Sequence, residues 1–178
     1  RQMCIRDRDA LPHFIDEKNE KLLTSHHIFT DAELHSRYEI KMENYVKTLH
    51  IEAGTLAEII QKDLLPSITT YMEKIAQTAA LKKSVVPDIS VSAEASLLTQ
   101  LTELSEAMTK DLETLKKDTA MAEYEAGKDL LKSAKLYQSV VLSDMEKVRA
   151  SADAAEVLIP DSILPYPTYG KLLFSISD

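Results

Sequence analysis

The stretch Asp31–Leu65, DAELHSRYEIKMENYVKTLHIEAGTLAEIIQKDLL, decides the fold. Its apolar positions are Leu34, Tyr38, Met42, Tyr45, Leu49, Ala53, Leu56, Ile60 and Leu64. The steps between them repeat as four, four, three. An eleven-residue period of this kind keeps one stripe facing one way along a nearly straight helix. At a rise of ~1.5 Å per residue the helix would be roughly 50 Å long. Thr30-Asp31-Ala32-Glu33 reads as a capping box that starts it. Glu43 with Lys47, and Glu58 with Lys62, are favourable pairs one turn apart on the wet side. Gly54 interrupts the interior at about 1 kcal/mol relative to Ala, so either another element approaches there or the position is simply tolerated. Arg37, Glu39 and Glu43 read as a solvated face.

Pro66 removes a donor and clashes with the preceding turn, which predicts a kink or a short break. Ile68, Tyr71, Met72, Ile75 and Ala79 then continue helically to about Lys83, and Val85-Val86-Pro87-Asp88 reads as a loop. Ser90 or Ser92 can cap a further helix carrying Leu97, Leu98, Leu101, Leu104, Met108, Leu112 and Leu115. A turn or register change is expected between Lys116 and Gly127. A last long stripe runs through Leu130, Ala134, Tyr137, Val141, Met145, Val148, Ala152, Ala155 and Ile159. Core packing is the reading of these stripes. Upstream, Pro12 fits the first turn of a helix carrying Phe14, Ile15, Leu22 and Leu23, with a break at Thr24–Phe29. The tail from Ile159 to Phe174 holds three prolines and Ile163, Leu164, Tyr166, Tyr169, Leu172, Leu173 and Phe174. It predicts an extended strap ending in a short turn and docked on an apolar surface of this chain, of an upstream segment or of another subunit. The fold class is therefore all-α: an antiparallel long-helix bundle with a Pro-rich extended C-terminal strap.

Composition agrees. Of 178 residues, 44% are hydrophobic, only 3 are Gly and none is Trp, which favours helices over sheets. The formal charge is −8 without a basic cluster, which argues against nucleic acid or an anionic membrane as partner. No apolar run approaches the ~20 residues that span a bilayer. The single Cys4 excludes an internal disulfide framework and fits a reducing compartment. Arg1–Arg8, RQMCIRDR, resembles the translation of a transposase mosaic end used in sequencing-library preparation, and residues 1–8 are read as extraneous. Setting them aside removes Cys4 and leaves 18 basic and 28 acidic residues. On that reading the chain is the tail of something longer.

Sites of chemistry are scarce. The sequence has no Gly-rich phosphate loop, HExxH, Cys/His metal spacing or nucleophile elbow. Inward-facing Glu-x-x-His pairs of the di-iron type are absent too. His26, His27, His35 and Glu33 lie close enough in sequence for a metal site to be conceivable. Without a regular ligand spacing they read as boundary histidines. No catalytic, cofactor-binding or metal-ligating residue is assigned.

Four segments carry a family resemblance: ALPHFIDEKNEKLL at 10–23, FTDAELHSRYEIKMENYVKTLHIEA at 29–53, DLLP at 63–66 and ILPYPTYGKLLF at 163–174. Together they resemble the C-terminal region of type III glutamine synthetase over nearly all of residues 9–178. The middle, about 67–159, matches only as helical filling. The resemblance implies that 9–47 ends the catalytic domain and 48–178 is a type III-specific helical C-terminal domain. It implies a parent enzyme that joins ammonia to glutamate, using ATP to make a γ-glutamyl phosphate, with Mg or Mn in the site. It further implies a cytoplasmic homo-oligomer, a dodecamer of two hexamers, with the upstream catalytic domain on the same chain. No cofactor is expected on this segment, whose role would be structural and whose isolated activity would be absent. The other reading is a free-standing helical scaffold or coiled-coil interaction module.

Overall fold

The computed structural model describes residues 10–174, apart from the side chain of Tyr169, so the Arg1–Arg8 reading lies outside the described residues. After a helical turn at 10–14 come α1 (Glu17–Ser25), α2 (Asp31–Ile59), a π-turn (Ile60–Leu64) and α3 (Leu65–Val85). Then follow α4 (Ser92–Ala126), α5 (Leu130–Leu136), a second π-turn (Tyr137–Val141), α6 (Leu142–Glu156) and the short α7 (Tyr169–Phe174). No strand occurs among the described residues, so the chain is all-α.

Two of the helix starts have a clear local cause. The Thr30 N–H donates to Glu33 Oε2 at 2.8 Å, the Thr30 hydroxyl donates to the same oxygen at 2.9 Å, and the Glu33 N–H donates back to Thr30 Oγ1 at 3.3 Å. These bonds close the capping box that starts α2. Asp129 caps α5 by accepting the Lys132 N–H at 3.0 Å. Pro66 does not break the helical run, as the sequence suggested. The π-turn just before it lets the Leu65 N–H reach back to the Ile60 carbonyl, so the chain remains helical from Asp31 to Val85. Wider winding of this kind places Pro66 in the first turn of α3, where a missing donor is harmless. Lys116–Thr119 produces no break either, because α4 runs unbroken to Ala126 and the turn falls at Gly127-Lys128.

The described residues form two compact units, 10–54 with 115–144 and 55–114 with 145–174. The first has a core of Leu34, Met42, Leu49 and Ala53 from α2, Leu115 and Ala122 from α4, and Ala134, Tyr137 and Val141. The buried Ser133 hydroxyl donates to the Ala122 carbonyl at 2.8 Å and ties α5 to α4. The second unit buries Ile60, Leu64, Ile68 and Ile75, Leu101, Met108 and Leu112, and Met145, Val148, Ala152 and Ala155. In it Lys82 pairs with Glu94 between α3 and α4. Most of the expected stripe residues of these helices are therefore inside, while Tyr71, Met72 and Ala79 of α3 and Leu97, Leu98 and Leu104 of α4 are only half-buried. Tyr38, Leu56 and Leu130 are half-buried, and Val46 and Ala57 join the core. An added Cβ at Gly54 would meet nothing within 4 Å, so that glycine is tolerated and no element approaches it.

The tail is only partly covered. Ile163, Leu164 and Tyr166 are half-buried, and the Tyr166 hydroxyl donates to Glu156. Burial, and then that carboxylate, push the Tyr166 hydroxyl's pKa upward. Leu172, Leu173 and Phe174 on α7 are exposed.

Candidate functional site

In the first unit, two places gather polar side chains from separate elements. The first is a cleft of about 330 Å³ floored by Tyr137 and lined by Val46, Ile51, Ala126 and Leu130, with Glu43, Lys47, His50 and Glu123 around it. The stripe buries Tyr137 completely, and its hydroxyl lies 2.9 Å from His50 Nδ1. The two rings meet edge to face, 6.4 Å between centroids. Burial first, then the charge of Glu123, push the Tyr137 pKa up to about 12, so the hydroxyl stays protonated and able to donate. Glu43 is held by Lys47 at 2.8 Å. A neutral hydroxyl on a half-buried imidazole positions the two elements. A reaction site would need a nucleophile, a base and a donor pair for a developing oxyanion converging on one point. The cleft's residues do not supply that set.

The second place is the junction of α1 and α2. There Glu20, Asp31 and His35 bring one ligand atom each to within 4.8 Å of one another. His35 Nε2 lies 3.6 Å from Asp31 Oδ1, one turn away on α2. Glu20 reaches across from α1 and hydrogen-bonds the Asp31 carboxyl, which raises the Glu20 pKa above its ordinary value. A cavity of about 410 Å³, lined by Glu20, Thr24, His27, Phe29, Thr30, Asp31 and Glu33 among others, adjoins the trio.

Of the residues singled out in the sequence, only His35 enters this cluster. Glu33 is engaged in the cap, whose bonds from Thr30 hold its pKa below the ordinary carboxylate value. His26 and His27 shape the exit of α1. The His27 N–H donates to the Thr24 carbonyl and the Ile28 N–H to the Leu23 carbonyl, both at 3.0 Å, a Schellman arrangement with His27 at φ 53°. Arg37 is more than a solvated charge, since its guanidinium stacks 4.8 Å from the Phe29 ring centroid. Reading the sequence missed Glu20, Asp31, His50 and Tyr137 as polar partners. The Asp31/His35 spacing of four was a usable signal, whereas the 87-residue separation of His50 and Tyr137 left none.

A nucleotide with its Mg or Mn does not fit these places. The N-terminus of α2, a ready anion site in principle, is filled by the Glu33 carboxylate, and the adjoining cavity carries carboxylates that would repel phosphate. No helix among the described residues is long and apolar enough to cross a membrane.

The comparisons with known proteins converge on one family. Residues 3–83 match the family described as "Glutamine synthetase C-terminal domain". That span includes six of the eight residues read as extraneous. A "Type-3 glutamine synthetase" of Dictyostelium discoideum is 29% identical over 171 residues, covering 93% of this chain and 23% of the relative. The chain matches the C-terminal region of type III glutamine synthetase. A glutamine synthetase of Butyrivibrio fibrisolvens is 41% identical over 168 residues, 94% of this chain and 24% of its own length. One from Bacteroides fragilis is 24% identical over 169 residues, 94% of this chain and 23% of its own length. The chain thus spans about a quarter of the glutamine synthetases it matches.

Proposed function

We propose that this chain is the C-terminal helical part of a type III glutamine synthetase and serves that enzyme as a structural and assembly element. The parent would amidate glutamate with ammonia at the expense of ATP, through a γ-glutamyl phosphate and with Mg or Mn. Residues 9–47 would complete its catalytic domain, and 48–178 would form the type-specific helical extension. The helix beginning at Asp31 would then bridge the two. The parent would act in the cytoplasm as a homo-oligomer, a dodecamer by its kinship. The observation that carries this reading is the alignment of 93–94% of the chain onto about a quarter of the length of each of three glutamine synthetases. The polar clusters of the chain support the structural half of it. The Thr30–Glu33 cap, the Tyr137–His50 bond and the His27 turn each satisfy local backbone or side-chain groups. Sequencing the native gene upstream of the Ala10 codon tests the proposal. An in-frame β-rich ligase domain with its metal and nucleotide residues is the expected result, and its absence would refute the reading.

A further inference from the structure

In the cleft floored by Tyr137, the polar groups are not all used up by one another. Its walls are aliphatic: Val46 and Ile51 from α2, Ala126 at the end of α4 and Leu130 at the start of α5. Its volume of about 330 Å³ lies in the ~300–1,000 Å³ range of small-molecule sites. At the rim Glu43 is taken by Lys47 at 2.8 Å. Glu123 has no such partner among the described residues, and its charge reaches the Tyr137 hydroxyl. Tyr137 in turn fixes His50. The buried hydroxyl keeps its proton and donates it to Nδ1, 2.9 Å away, so the imidazole carries its own hydrogen on Nε2. The cleft therefore offers a charged acceptor, a held N–H donor and an apolar wall.

We propose that this cleft binds a small organic ammonium ion, with its cationic nitrogen on the Glu123 carboxylate and its apolar body against Val46, Ile51, Ala126 and Leu130. Charge selects the class. The rim carries two carboxylates against one lysine, so an anion is repelled. A neutral apolar molecule would cover Glu123 without a counter-charge, which desolvation penalises. A bare metal ion finds one free carboxylate, far short of a coordination shell. An ammonium nitrogen instead makes a charge-assisted hydrogen bond to Glu123, while the body removes the aliphatic walls from water. An ether or carbonyl oxygen on the ligand would accept the His50 Nε2–H. Binding is non-covalent, and nothing in this site draws on the ligase reading.

Calorimetric titration of the full-length product of the native gene with phenethylamine, a singly charged probe with an apolar body, tests this. Phenethyl alcohol, of similar shape without the charge, is the comparison. One saturable site per chain is expected for the amine, weakened by added salt, with the alcohol bound roughly tenfold less tightly or worse. Glu123→Gln is expected to weaken the amine roughly tenfold and to leave the alcohol unchanged. Leu130→Trp fills the cleft and is expected to abolish binding of both. Glu103→Gln, which removes an exposed carboxylate of the other unit, is expected to change nothing. Thermal melts check that each variant is folded, and the surface change Glu123→Gln stands as the test should Leu130→Trp fail to fold. Glutamine formation, assayed separately, bears on the ligase reading alone. No saturable site, equal affinity for amine and alcohol, or amine binding indifferent to Glu123→Gln would each overturn the proposal.

Discussion

Tyr137 shows what a single side chain does here. Its ring lies fully inside the first unit, and its hydroxyl finds one partner, His50. Tyr137→Phe keeps the ring and removes the bond, and should lower stability by about 1 kcal/mol in a denaturant titration. Because the folded-state pKa is raised from 10 to about 12, the buried hydroxyl contributes stability that is fully present below pH 10. That contribution is lost as pH rises from 10 through about 12. Alkaline unfolding should therefore shift to higher pH in Tyr137→Phe, which has no phenol to ionise there. The burial of Tyr137 was legible in the sequence, since it falls on the stripe Ala134, Tyr137, Val141. Its partner was not, because His50 sits beside Leu49 at the margin of another stripe and nothing in either segment names the other. At the exit of α1, His27 holds a left-handed conformation that strains a side chain bearing a Cβ. His27→Gly should raise stability by about 1 kcal/mol, read as a higher melting temperature.

At the scale of the element, the capping box of α2 is the clearest case in which residue types foretold geometry. Thr30 and Glu33 meet in the arrangement their spacing implies. The Glu33 pKa lies below its ordinary 4.5, so the carboxylate's contribution is present above that pH and is lost as pH falls through the lower folded-state value. A Glu33→Gln variant should melt below the parent chain at pH 7, and the difference should shrink as pH falls below 4.5, as followed by circular dichroism. Gly54 sits mid-helix with open space around it. Gly54→Ala should therefore stabilise α2 by about 1 kcal/mol in thermal melts. The two π-turns lay beyond sequence reading. The apolar spacings Ile60, Leu64, Ile68 and Tyr137, Val141, Met145 are all fours, which a regular helix and a π-turn accommodate alike. Pro66 signalled a disturbance there, but its expected form was a kink or break. The wider turn absorbs the proline without one.

Across the whole molecule, the helices and their buried faces followed from spacing, while the kinship followed from a few specific strings such as SRYEI at 36–40 and PTYGKLLF at 167–174. The division into two units was not legible. Its limits fall inside α2, α4 and α6, where the helical pattern runs on without a Pro, a Gly-rich linker or a change of period that would mark a domain boundary. The tail was legible in composition and less so in place, because Leu172, Leu173 and Phe174 face solvent while Tyr166 is held by Glu156. The central claim is that this chain supports a ligase whose chemistry lies elsewhere on the polypeptide. Its most direct test compares the full-length protein with a version truncated after the residue preceding Ala10, measuring glutamine formation and sedimentation together. The account predicts that the truncated protein loses both activity and oligomer mass. A truncated protein with full activity and unchanged mass would contradict it.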